Sequence, residues 1–160
     1  AVGIASATLV GQYLGARNPR MAVATIWKCT WYALLFMGGM GVVFYLFPEL
    51  FIYPFAADSQ ALVDAARPVV QLFLIAEPVY ATMMLFKMSL RGAGDTRRVM
   101  FVTYGCMGIF RFGILFLWYT FWPETISLLG IWSLFVLDMT VESVILHRLF
   151  IGLKWTHRKV

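Results

Sequence analysis

The chain has 160 residues, 61% of them hydrophobic and 13% charged, with 13 Lys and Arg against 8 Asp and Glu and a formal net charge of +5. An ordinary soluble domain is about 45–50% apolar, so a water-soluble core is excluded. The positive balance does not point to nucleic acid either, because the basic residues form neither one face nor a basic helix; membrane topology accounts for them better.

The apolar residues come in long uninterrupted runs. Residues 29–47 and 112–123 contain no charge. A run of about 20 such residues is what a hydrocarbon layer of ~30 Å requires, since only a helix satisfies its own backbone there. The predicted fold class is therefore an all-α, polytopic, integral membrane helix bundle with five spans, over residues 1–14, 23–47, 68–90, 99–121 and 126–151. The first run is too short to cross, and the chain begins at Ala1 with no basic segment before the apolar one. A signal peptide is thus not expected, and missing upstream sequence is.

In chain order, Gly11 and Gly15 form a GxxxG spacing that suits close helix approach. Gly15 suits a helix C-cap, and Asn18 with Pro19 a turn into the second span. The stretch 48–67 is long for a tight turn; Asp58 and the residues after it read as the capped start of a surface helix leading into the third span. After that span, Gly92 and Gly94 end one helix and Asp95 is placed to cap the next. Cys29 and Cys106 lie in spans without CxxC or metal-ligand spacing and read as small core residues.

Charge alternates from loop to loop. Arg17, Arg20, Lys28, Arg91, Arg97, Arg98, Arg148, Lys154, Arg158 and Lys159 fall on one side, ten of the 13 basic residues. Glu49, Asp58, Asp64 and Glu124 fall on the other, with Arg67 as the one base. The positive-inside rule then places the C-terminus in the cytoplasm. Trp27, Trp31 and Tyr32 at the inner boundary and Trp118, Tyr119 and Trp122 at the outer one read as interfacial anchors.

No catalytic motif is present: there is no GxSxG, HExxH or phosphate-binding loop, and no enzyme is expected. His147 and His157 read as partners of headgroups or helix carbonyls rather than metal ligands. The informative residues are the charges inside spans: Glu77, Lys87, Arg111, Asp138 and Glu142. Each costs roughly 2.5–3.5 kcal/mol at a helix centre, so each should face the bundle or a water-filled cavity. Lys87 lies one turn from Arg91 and is expected to snorkel to the interface. Glu77 precedes Pro78, which frees the Leu74 carbonyl. Carboxylate and carbonyl oxygens together suit a proton or sodium ion, and the alternative is a structural pair with a cation on a neighbouring helix. Arg111, Asp138 and Glu142 come to similar depth and read as an ion-pair cluster of one base with two acids. Met83, Met84, Phe86 and Met88 read as packing, with substrate contact as the alternative.

Three segments carry a family resemblance. ATLVGQYLGA at residues 7–16, LRGAGDTR at 90–97 and GLKW at 152–155 resemble, in that order and spacing, segments of multidrug and toxic compound extrusion (MATE) transporters. The resemblance implies two six-helix lobes that rock between inward and outward access and export organic, often cationic, compounds in exchange for protons or sodium. Residues 1–160 would then be a partial C-terminal lobe, inactive alone, in the plasma (inner) membrane. Its partners would be the bilayer, a small-molecule substrate and the missing N-terminal lobe, with no cofactor beyond the coupling ion. Glu77 and Pro78 fall where relatives have Gln-Pro or Glu-Pro, near an acidic cation ligand of some members. Arg111 matches a basic position, whereas Glu142 stands where relatives often have a base. On this reading the candidate coupling residues are Glu77 and Asp138, and the substrate-path candidates are Gln12, Met83, Met84, Arg111 and Glu142. The cytoplasmic turn motif is Arg91, Gly92, Gly94, Asp95, Thr96 and Arg97. Two alternatives are a lipid-linked saccharide flippase of the same wider fold, which should show a basic central cavity, and a membrane-embedded interaction module.

Overall fold

Helix ends in this chain are set by small polar residues and proline, and the computed structural model, which describes residues 1–56 and 59–152, shows where each one acts. Helix α1 (Val2–Gly15) closes through Arg17, which takes a left-handed φ of 56°. The expected cap at Gly15 is therefore corrected: Gly15 stays within the last turn, and the chain reverses two residues later. Asn18 then starts α2 (Pro19–Leu46) by accepting the Met21 N–H at 3.2 Å, with Pro19 in the first turn, where its missing N–H costs nothing. Asn18→Ala should lower thermal stability in detergent by about 1 kcal/mol, the usual worth of such a cap; an unchanged midpoint would show that this end of α2 is held by packing alone.

After a break at Phe47, Pro48 opens a short helix, α3 (Pro48–Ala56), within the stretch 48–67 that is too long for a tight turn. Asp58, expected as a cap, lies outside the described residues. Ser59 caps instead, accepting from the Leu62 N–H, and α4 (Gln60–Gly92) runs on without interruption through Pro68 and Pro78. The expected surface helix and the third span are thus a single helix of 33 residues. An exposed ion pair between Glu49 and Arg67 ties α3 to α4. Helix α5 (Thr96–Phe121) contains a widened π-helical stretch, Met107–Ile114, that carries Arg111. A tight turn at Pro123–Thr125 leads to Ser127, which caps α6 (Leu128–Ile151) by accepting the Gly130 N–H.

Helices α2, α4, α5 and α6 are each long and apolar enough to cross a membrane, with 28, 33, 26 and 24 residues. At 14 residues α1 is shorter. No strand occurs among the described residues. Helix α4 is the central post, packed against α1, α2, α3 and α6 and more lightly against α5. Helices α4 and α6 run parallel with a constant offset of about sixty residues, seen in Phe73 against Trp132, Thr82 against Ser143 and Phe86 against His147. The largest buried cluster, with Val10, Ile26, Phe86, Leu90, Leu146 and Phe150, joins α1, α2, α4 and α6 at the basic end of the bundle. Large apolar side chains such as Phe36, Phe101 and Phe116 point outwards and stay exposed, as they do where lipid is the solvent.

Two of the three segments that carry the family resemblance meet in space. The Ser6 and Ser89 hydroxyls hydrogen-bond at 2.8 Å in a fully buried position. One turn on, Gly92 lies so close to Ala7 that a Cβ there would stand 2.7 Å from the Ala7 Cα. Of the GxxxG pair, only Gly11 makes a close approach, to the Gly92 carbonyl; nothing lies near Gly15.

Candidate functional site

Residues four apart on a helix share a face, so Asp138 and Glu142 project together from α6. The structure gives each its own cation. Arg111 Nε bonds Asp138 Oδ2 at 2.9 Å, and Lys87 Nζ meets Glu142 Oε1 at 2.8 Å. The Thr103 hydroxyl of α5 donates to the same Glu142 oxygen at 2.6 Å. The expected cluster of one base and two acids is therefore corrected to two pairs, Lys87–Glu142 and Arg111–Asp138, linking α4, α5 and α6. What is left over is an oxygen rather than an acid: Asp138 Oδ1 is buried without a hydrogen-bond partner among the described residues.

Lys87 also overturns its sequence reading. It does not snorkel; its side chain is 12% exposed and reaches into the bundle. The reason is directional. Helical side chains lean toward the N-terminus of their helix, so a lysine near the C-terminal end of α4 is aimed at mid-span, away from the nearby interface. There it finds Glu142, whose position on α6 is about five residues nearer the N-terminus than the level of Lys87.

Glu77 has the opposite surroundings. It sits on α4 in a cleft of about 230 Å³ between α2, α4 and α6, lined by Met37, Phe73, Tyr80, Trp132, Phe135 and Met139. Among the described residues its carboxylate has no ion pair and no hydrogen bond, so the reading of Glu77 as half of a structural pair is not what the structure shows. The following Pro78 removes the N–H that the Leu74 carbonyl would otherwise accept. That carbonyl faces Gly41 of α2, where a Cβ would stand 3.3 Å from it, so the absence of a side chain at Gly41 lets the two backbones meet. Phe135 separates the two charged regions. One side of its ring lines the Glu77 cleft, and the Arg111 guanidinium lies 5.0 Å from the ring centre.

The remaining candidates scatter. Gln12 is exposed on α1. Met83 and Phe86 are buried in the main core, and Met88 packs at Gly3. Met84 lines a separate cleft with Val2, Ala33, Met37 and Tyr80. In the turn between α4 and α5, Arg91, Thr96 and Arg97 are exposed, and Gly94 adopts φ +78°, a conformation that favours glycine. Asp95 occupies the cap position of α5 but makes no cap hydrogen bond. Its buried carboxylate turns to Arg98 at 3.3 Å, which corrects the expected role. Lys154, His157, Arg158, Lys159 and most of the 152–155 segment lie outside the described residues. Thr103 and Phe135 were not anticipated; a threonine and a phenylalanine in apolar helices give no sequence signal until their neighbours are known.

The family model described as MatE matches residues 1–117. Among curated proteins, one described as a probable multidrug resistance protein NorM, from Thermotoga maritima, is 29% identical over 161 residues, covering 99% of this chain and 34% of that protein. The chain spans about a third of the length of that relative.

Proposed function

Because the chain belongs to the MatE family, we propose that it supplies the last five transmembrane helices of a cation-coupled antiporter that exports organic, often cationic, compounds by alternating access. The similarity to a probable multidrug resistance protein, NorM, supports export as the activity. In this proposal residues 1–160 form part of a C-terminal lobe that works against an N-terminal lobe in the inner membrane, with the C-terminus in the cytoplasm. The basic residues that collect at one end of the bundle support that orientation.

The observation that carries the proposal is the contrast among mid-span acids. Asp138 and Glu142 are each committed to a resident cation, whereas Glu77 has none. A carboxylate held in an apolar cleft gains most from a cation that comes and goes. A proton or a sodium ion suits its oxygen donors, and an organic cation would also find the faces of Trp132, Phe73 and Tyr80. Two cations that compete for one carboxylate are exchanged rather than carried together, which is the logic of antiport. Asp138 and Arg111 then serve to hold α5 on α6. A saccharide flippase finds less support, since both mid-span bases, Lys87 and Arg111, are already neutralised by acids.

The test is efflux of a fluorescent organic cation from vesicles containing the complete transporter, driven in turn by an imposed proton or sodium gradient. Glu77→Gln should reduce gradient-driven efflux to the level of empty vesicles while the protein stays inserted and folded, and the gradient that drives the unmodified protein identifies the ion. Wild-type efflux in Glu77→Gln, with the same dependence on the gradient, would remove Glu77 from the coupling step and move coupling to the other lobe.

A further inference from the structure

The basic end of the α2–α4–α6 groove plays no part in the reading above. A second cleft, of about 300 Å³, opens there, and Trp27, Thr30, Thr82, Ser143, His147 and Arg148 define its depth and rim. The deep hydroxyls are already satisfied. Thr30 donates to the Ile26 carbonyl at 2.8 Å, and Thr82 bonds the Val79 carbonyl and the Ser143 hydroxyl. The rim is different. The Trp27 indole N–H, the His147 imidazole and the Arg148 guanidinium have no hydrogen-bond or ion-pair partner among the described residues. The two rings are nevertheless held in place, with Trp27 edge-on to His147 at 5.8 Å and Phe86 edge-on to His147 at 5.0 Å.

We propose that this cleft is a binding site for one anionic phospholipid, with the phosphodiester at Trp27, His147 and Arg148 and an acyl chain running down the groove over Leu34 and Val144. Three donors without an acceptor around one opening call for an anion. No acidic residue outside the committed Asp95 lies at this end of the described bundle to serve as that anion, and Lys28 stands beside Trp27. The floor is apolar with hydroxyls at one level. Ser143 lies five residues before Arg148, a helical distance of about 7.5 Å that suits the glycerol and ester region of a lipid. A free phosphate would satisfy the rim and leave the groove empty, whereas a lipid fills both. Basic pockets between transmembrane helices on the cytoplasmic side are where acidic headgroups are bound, and the proposed orientation puts this rim in that leaflet. A lipid seated here would extend the contact between α2 and α6 that Trp27 makes with His147 and Phe150.

The inference uses the transport proposal only for the choice of leaflet, and its test involves no transport. The complete protein in a nonionic detergent is titrated with phosphatidylglycerol and with phosphatidylcholine of the same acyl chains, and bound lipid is counted by native mass spectrometry. Phosphatidylglycerol should bind in preference to phosphatidylcholine. Arg148→Gln should weaken it about fivefold and Arg148→Glu further, while Arg17→Glu, a charge reversal outside the cleft, should leave it unchanged. Equal binding of the two lipids by the unmodified protein would overturn the site. So would equal losses in Arg148→Glu and Arg17→Glu, which would mean diffuse attraction to the basic end. Melting in phosphatidylcholine alone verifies the fold of each variant, and Arg148→Gln, which introduces no new charge, decides the matter if Arg148→Glu does not fold.

Discussion

Replacing Lys87 with methionine should destabilise the folded bundle by about 3–5 kcal/mol, the usual cost of leaving one member of a buried ion pair without its partner. Glu142 would remain 6% exposed with a single neutral donor, the Thr103 hydroxyl. Hydrogen bonds between transmembrane helices are worth only about 0.6 kcal/mol on average, because the dissociated helices find other partners, so Thr103 cannot make up the loss. The double variant Lys87→Met with Glu142→Leu should recover most of the stability, since apolar residues of similar volume often replace a buried pair without cost. Arg111→Gln should cost less than Lys87→Met, because a glutamine amide can still donate to Asp138 whereas methionine offers Glu142 no donor. Unfolding followed by helical circular dichroism in mixed detergent micelles measures all three variants against the parent. A Lys87→Met protein as stable as the parent, or a double variant as weak as the single one, would show that the pair contributes nothing to holding α4 on α6.

The same residues show how far the sequence could be read. That the chain is a bundle of membrane helices was legible, because uncharged runs such as residues 29–47 allow no other structure in lipid. The depth of Arg111, Asp138 and Glu142 was legible too, from their distance to the helix ends. Their partners were not. Depth follows from counting along one helix, but pairing depends on which faces of different helices meet, and Lys87 enters only because α4 packs against α6. Distance along the chain misled for Lys87 itself: closeness to Arg91 suggested the interface, while the lean of its side chain sent it to mid-span. Position between spans misled at α3, since residues 48–56 were given no helix, although Pro48 in the first turn is compatible with one. The unpartnered state of Glu77 was beyond sequence in principle, since the absence of a neighbouring cation is a property of packing.

Gly92→Ala should destabilise the chain by about 1–3 kcal/mol, the range for forcing an extra methyl into a packed contact, and Gly15→Ala should be neutral or stabilising by about 0.5–1 kcal/mol. Both glycines belong to the segments that carry the family resemblance, so similarity alone predicts the same result for both. Geometry separates them. A Cβ on Gly92 would meet the carbonyl oxygen, the Cα at 2.7 Å and the carbonyl carbon at 2.8 Å of Ala7, all backbone atoms that no rotamer change can move. Helix α1 would have to lift away from α4, and the buried Ser6–Ser89 hydrogen bond one turn above would lengthen with it. At Gly15 nothing lies within 4 Å, and alanine there removes only the backbone freedom of a glycine in a helix. A combined Ser89→Ala and Gly92→Ala variant should lose less than the sum of the two single losses, because the same crossing cannot be opened twice. Equal effects at Gly92 and Gly15, or strict additivity between Ser89 and Gly92, would mean that the two segments do not form the close crossing that pins α1 to the end of α4.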